Sequence, residues 1–172
     1  RGSGIAHCPS SNMKLNSGIC RTSEIHRMGG KLSIAVDGSA SNDGSNMWEE
    51  IRRAYLLNHL KYGTEGLTAY EMIKIATRGG ADVLGRKDTG RIEVGKAADL
   101  VLLDLSGIEY AGCHDPLVSI VCLGNSSIVD TTIVNGEIVV QGGKLVRIDE
   151  KAMREKAVNE SRRIVVLERS LR

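Results

Sequence analysis

The chain has 172 residues, enough for one compact domain or for pieces of two, and its 41% hydrophobic and 26% charged residues are ordinary for a globular protein. A net charge of +2 argues against a nucleic-acid groove or an acidic membrane surface as partner, and one Trp, four Tyr and no Phe argue against base stacking. Basic residues are scattered apart from the tail of Arg162, Arg163, Arg169 and Arg172. No apolar run approaches the roughly 18 residues of a membrane span, and no signal-peptide pattern opens the chain. Cys8, Cys20, Cys113 and Cys122 form no C-x-x-C pair, so the expectation is a reduced, cytoplasmic protein without a disulfide framework.

In chain order, Ile5 and Ala6 open a short apolar strand that runs into a loop from Cys8 to Asn12. A short helical stretch over 22–29 ends at Gly29 and Gly30. Leu32 to Val36 reads as a buried strand that stops at Asp37 and Gly38, and a polar loop follows. Asn46 with Glu49 three residues on has capping-box spacing. Behind it Trp48, Ile51, Tyr55, Leu56, Leu57 and Leu60 recur at helical spacing up to Gly63. Thr68 and Glu71 repeat the cap, Met72, Ile75 and Ala76 face inward, and Gly79-Gly80 reads as the helix end. This alternation predicts parallel β/α units over 1–89. From residue 90 the pattern turns to short strands: Ile92 and Val94, then 99–104, 128–134 and 138–140. Asn135-Gly136 is a two-residue hairpin signal and Gln141-Gly142-Gly143 a second turn. Asp115-Pro116 starts a short helix to about Cys122, and a charged helix occupies the 149–172 region.

Some motifs fail on physical grounds. Gly90 to Ala97 resembles a phosphate loop, but Ala97 offers no oxygen to magnesium and a strand follows where a helix is needed, so a turn between strands is preferred. The serines around Gly38 lack nucleophile-elbow spacing, and no H-x-E exists for the P-C-x-x-C deaminases. What remains are two strand ends, where loops of parallel β/α proteins carry function. One carries His7, Ser10 and Asn12; the other carries Asp37. A carboxylate directly after an apolar strand is costly to desolvate unless a cation or donors meet it. On spacing alone Asp37 reads equally as a turn residue, His7 as a core histidine before a ligand, and Ser10 and Asn12 as loop caps.

Six ordered blocks then carry a resemblance: AHCPSSNMKLNSG at 6–18, VDGSASNDGSNMWEEIR at 36–52, ATRGGADVLGR at 76–86, GRIEVGKAADLVLLD at 90–104, HDPL at 114–117 and VDTTIVNGEIVVQGGKLV at 129–146. Together they resemble the amidohydrolase superfamily in its cytosine deaminase-like branch, nearest to 8-oxoguanine deaminase and the hydroxyatrazine or triazine aminohydrolases. The resemblance implies an α/β chain forming the C-terminal part of a (β/α)8 TIM-type barrel over 1–89, part of a small β-sandwich over 90–148, and a C-terminal helix over 149–172. It implies that Asp37 ends the eighth barrel strand, binding a divalent metal, zinc or iron, and shuttling a proton from water, while His7, Ser10 and Asn12 border a small heterocyclic substrate.

The implied reaction is hydrolytic deamination of a nucleobase, 8-oxoguanine first. A triazine or chlorohydrolase, a methylthioadenosine-type deaminase, and a non-catalytic scaffold stand as alternatives. The chain departs from the family in lacking the H-x-H of the first strand, and a full barrel takes about 250 residues. It is therefore expected to be part of a longer or cleaved protein, inactive and metal-free alone. An open sheet edge and an uncovered apolar face lead to the expectation of association with a second copy or with the missing barrel half.

Overall fold

The computed structural model describes residues 2–170; Arg172 of the basic tail lies outside them. Strand β1 (Gly4–His7) and strand β2 (Lys31–Ile34) pair in parallel, in register from Gly4 with Lys31 to His7 with Ile34. Between them run two one-and-a-half-turn helices, α1 (Pro9–Lys14) and α2 (Thr22–Arg27). The segment expected as a loop from Cys8 to Asn12 is thus mostly helical. Pro9 at the first helical position explains it, since its fixed φ suits a helix start and its missing N–H would have had no partner there.

Helix α3 (Met47–Tyr62) starts at Asn46, whose side chain accepts from the backbone N–H groups of Trp48 (3.1 Å) and Glu49 (3.5 Å). Its buried face is Glu50, Ile51, Ala54 and Asn58. Leu56 and Leu60, which periodicity alone placed inward, are 45% and 76% exposed. Helix α4 (Ala69–Lys74) carries the complete capping box of Thr68 and Glu71. It does not end at Gly79-Gly80. The chain winds through a π turn (Ile75–Gly79) into α5 (Gly80–Leu84) and stops at Gly85, which is left-handed at φ 71°. Gly79 is there for proximity: a Cβ on it would stand 2.1 Å from the Leu32 carbonyl oxygen of β2.

Beyond residue 85 the chain is irregular up to strand β3 (Leu100–Leu103). The Ile92–Val94 strand does not form. Both side chains are fully open to solvent, and among the described residues no strand runs alongside to pair their backbone. Gly90 and Gly95, both at φ 84°, make this segment a run of turns. Strand β3 leads an antiparallel sheet in the order β3–β4–β5–β6, with β4 (Val129–Val134), β5 (Glu137–Gln141) and β6 (Lys144–Leu145). Asn135 (φ 48°) and Gly136 (φ 81°) form the expected hairpin turn, and Gly142 and Gly143 the second.

Helix α6 (Pro116–Leu123), capped by Asp115, forms where expected within the 90–148 segment and packs back against the β/α units. Its fully buried Val121 joins Leu32, Ile34, Ile51, Ala54, Leu67, Ala69, Met72 and Ile75 in a single core around β2. The Arg52 guanidinium donates to the Cys122 carbonyl at 2.7 Å and holds the helix end. Helix α7 (Glu150–Ser170) buries none of its residues, and no helix among those described is long and apolar enough to cross a membrane.

Candidate active site

The C-terminal ends of β1 and β2 lie side by side, because parallel pairing in register puts both exits at one edge. Strand β2 ends at Ile34, short of the expected Val36, and Asp37 stands three residues beyond it in the left-handed region at φ 65°, which aspartate tolerates better than most side chains. Two hydroxyls converge on its Oδ2: Ser11 of α1 at 2.6 Å and Ser41 of the following turn at 2.8 Å. The Ser11 hydroxyl foremost, then that of Ser41 and the Gly38 backbone, hold the carboxyl below its usual range. The result is an exposed, ionised carboxylate whose orientation is set by β1's outgoing helix.

The other expected residues divide. Ser10 borders an open cavity of about 450 Å³, shared with Lys14, Ser41, Asn42 and Arg53. Asn12 is half-buried and none of the described hydrogen bonds uses its side-chain amide. His7 is buried at 3% exposure, and its Nδ1 has no hydrogen-bond partner among the described residues. Burial lowers its pKa and the nearby Glu50 charge opposes this only in part, so the ring is neutral near pH 7. His7, Asn12 and Asp37 are not among the residues lining that cavity. Ser11 nevertheless ties α1, which carries Ser10 and Asn12, directly to Asp37. Cys8, between the two exits, is a poor nucleophile: burial first, then the charges of Asp37 and Glu50, raise its thiol pKa.

Three residues were not singled out from sequence. Asn42 is buried at 3% exposure, its amide nitrogen donating to the Val36 carbonyl at 2.8 Å and its oxygen accepting from Gly44 and Ser45 at 3.2 Å each, which closes the loop after β2. Glu50 and Arg53 of α3 grip Ser10. A carboxylate at the core-facing spacing of Ile51, Ala54 and Asn58 was the signal available. An ion pair of Lys14 with Asp43 (2.8 Å) closes the rim between α1 and the loop after β2.

A borderline divalent cation suits an ionised, hydroxyl-anchored carboxylate such as Asp37. Among the described residues no group of three or more His, Cys, Asp or Glu gathers that could hold one. Asp37 therefore fits as one ligand of a larger set.

A parallel strand pair with a carboxylate beyond its exit, flanked by helices and followed by a small antiparallel sheet, is an α/β arrangement, and comparison with known proteins places it in a family. Residues 1–139 match the amidohydrolase family, to which the chain belongs. It is 45% identical over 152 residues to the 8-oxoguanine deaminase of Pseudomonas aeruginosa, covering 88% of this chain and 34% of that one. It is 39% identical over 163 residues to a 5-methylthioadenosine/S-adenosylhomocysteine deaminase of Pelotomaculum thermopropionicum, covering 94% and 38%. A zinc-bound adenosine deaminase structure from Xanthomonas campestris superposes with a TM-score of 0.92 at 35% identity, over 96% of this chain and 38% of that one. The chain spans about a third of the length of the curated relatives it matches.

Proposed function

We propose that this chain supplies the proton-shuttling, metal-binding carboxylate of a hydrolytic deaminase acting on a C–N bond of a purine-like heterocycle, with 8-oxoguanine as substrate. The observation that carries the reading is Asp37 at the β2 exit, ionised and aimed by Ser11 from the adjoining parallel unit. The likeness to an 8-oxoguanine deaminase supports the choice of substrate. Asp37 would be one ligand of a divalent ion, zinc by analogy with the zinc-bound relative. Such an ion, when bound, supplies the Lewis acidity that lets water ionise near neutral pH.

The chain's own part is proton handling and orientation. Asp37 takes a proton from the attacking water as its oxygen bonds the ring carbon, then returns a proton to the exocyclic nitrogen as the C–N bond breaks and ammonia leaves. Asn12 presents its side-chain amide to the edge of the heterocycle, Ser10, its hydroxyl already engaged by Glu50 and Arg53, fixes the turn that carries Asn12, and His7, neutral and buried, backs them. In the complete enzyme, Asp37→Asn keeps substrate binding and lowers turnover by about 10²–10⁴-fold. The assay is release of the leaving group: ammonia from 8-oxoguanine, guanine, cytosine and 5-methylthioadenosine, and alkylamine or chloride from triazines. Near-normal turnover in Asp37→Asn removes this residue from the mechanism. A preparation with no metal and no activity on any of the five favours a scaffold.

A further inference from the structure

The Glu50 side chain is wholly enclosed, at 0% exposure, on the helix that carries Ile51 and Ala54 into the core. Enclosing a carboxylate costs several kcal/mol unless donors surround it. Here they do. The Ser10 backbone N–H donates to Oε2 at 3.0 Å, Arg53 Nη1 donates to Oε1 at 3.0 Å, and the Ser10 hydroxyl also meets Oε1. Arg53 Nη1 additionally donates to Ser10 Oγ at 2.8 Å, while its other terminal nitrogen meets Glu49. Both donors of Ser10 are therefore held by one carboxylate fixed on a sixteen-residue helix.

The next residue, Ser11, lies about 100° further round the same helical turn. It is 4% exposed, and its hydroxyl reaches Asp37 Oδ2 at 2.6 Å. Adjacent serines thus tie one turn of α1 to two carboxylates, one enclosed and one at the strand exit. An apolar side chain at position 50 could pack α1 against α3 at less desolvation cost. A charge that takes both donors of one residue instead fixes where the turn sits and how it is rotated, which decides whether Ser11 reaches Asp37.

We propose that Glu50 is a positioning residue: by holding Ser10 it sets the rotation of α1 that places the Ser11 hydroxyl on Asp37. This rests on the deaminase reading for its kinetic readout, but not for its binding readout. The test is a double-mutant cycle in the complete enzyme with Glu50→Gln, Ser11→Ala and the pair. It measures kcat, KM, zinc affinity of the metal-stripped protein, and thermal unfolding. Glu50→Gln is expected to lower kcat and zinc affinity about tenfold each, with KM within about twofold. On the Ser11→Ala background the same change is expected to cost less than about twofold, because the link it acts through is gone. Equal tenfold losses with and without Ser11 overturn the proposal. If Glu50→Gln fails to fold, Ser10→Ala replaces it in the same cycle with the same two outcomes. A wild-type enzyme without deaminase activity overturns the function, while the zinc-affinity cycle still decides the positioning role.

Discussion

Gly79 and Gly80 are neighbours in one helical run, yet alanine at each should act with opposite sign. Both have ordinary right-handed backbone, φ −58° and ψ −39° at Gly79, φ −58° and ψ −49° at Gly80, so neither needs glycine for its conformation. Alanine in a helix is favoured over glycine by about 1 kcal/mol. At Gly80 nothing lies within 4 Å of the added methyl, so Gly80→Ala should stabilise by about 0.5–1 kcal/mol. At Gly79 the methyl meets the Leu32 carbonyl oxygen at 2.1 Å, well under the 3.0 Å that real Cβ contacts keep. The obstacle is strand backbone paired with β1, so helix and strand must part by roughly 1 Å in a close-packed interior. A clash this close with backbone sits at the upper end of the about 1–3 kcal/mol that overpacking costs, which outweighs the helix gain of about 1 kcal/mol and leaves a net loss of about 2 kcal/mol. Equilibrium urea unfolding reads the difference. With a slope of about 2 kcal/mol/M, a gap near 3 kcal/mol separates the two midpoints by about 1.5 M. Coincident midpoints, or Gly79→Ala the more stable, would refute the close-approach explanation of Gly79.

Asn58 holds two connections at once. Its amide nitrogen donates to the Thr22 and Ser23 hydroxyls at 2.7 and 2.9 Å, and its oxygen accepts from the Leu67 N–H at 2.6 Å. Asn58→Ala leaves the Leu67 N–H enclosed and unpaired, so a loss of about 3 kcal/mol is expected, and a melting temperature within 2 °C of wild type would contradict it. His7 gives a pH dependence. Its folded pKa lies below the ordinary 6.5, so below that pH the unfolded chain binds more protons than the folded one. Its stabilising contribution is complete above pH 6.5 and is lost as pH falls through the lower folded value. Unfolding free energies between pH 7.5 and 5 should slope accordingly and flatten in His7→Gln, whereas an unchanged slope in that variant rules His7 out as the source.

Much of the local structure follows from short-range rules. The Asn46 and Thr68 caps, the Asp115-Pro116 helix start and the Asn135-Gly136 hairpin each depend on a side chain and backbone groups a few residues away, and each is found where the spacing puts it. Asp37 was visible for a related reason. A carboxylate that follows an apolar strand advertises its position, and Ser41 lies four residues on. Glu50 escaped notice because a glutamate in a helix is ordinary; its spacing to Ala54 and Asn58 was the one local signal, and its placement under α1 came from the tertiary structure.

The sequence alone determined which residues start, cap and end most elements, that two β/α units precede an antiparallel sheet, and that Asp37 stands at a strand exit. These are consequences of periodicity, of proline and glycine backbone preferences, and of desolvation cost, all of which act within one segment. Tertiary structure decided the rest. It turned Leu56 and Leu60 outward, carried the helix through Gly79 and Gly80, buried Val121 of α6 against β2, and brought Ser11 to Asp37 across 26 positions of chain. Each of those outcomes depends on which distant surface arrives to be covered, and no window of neighbouring residues contains that information.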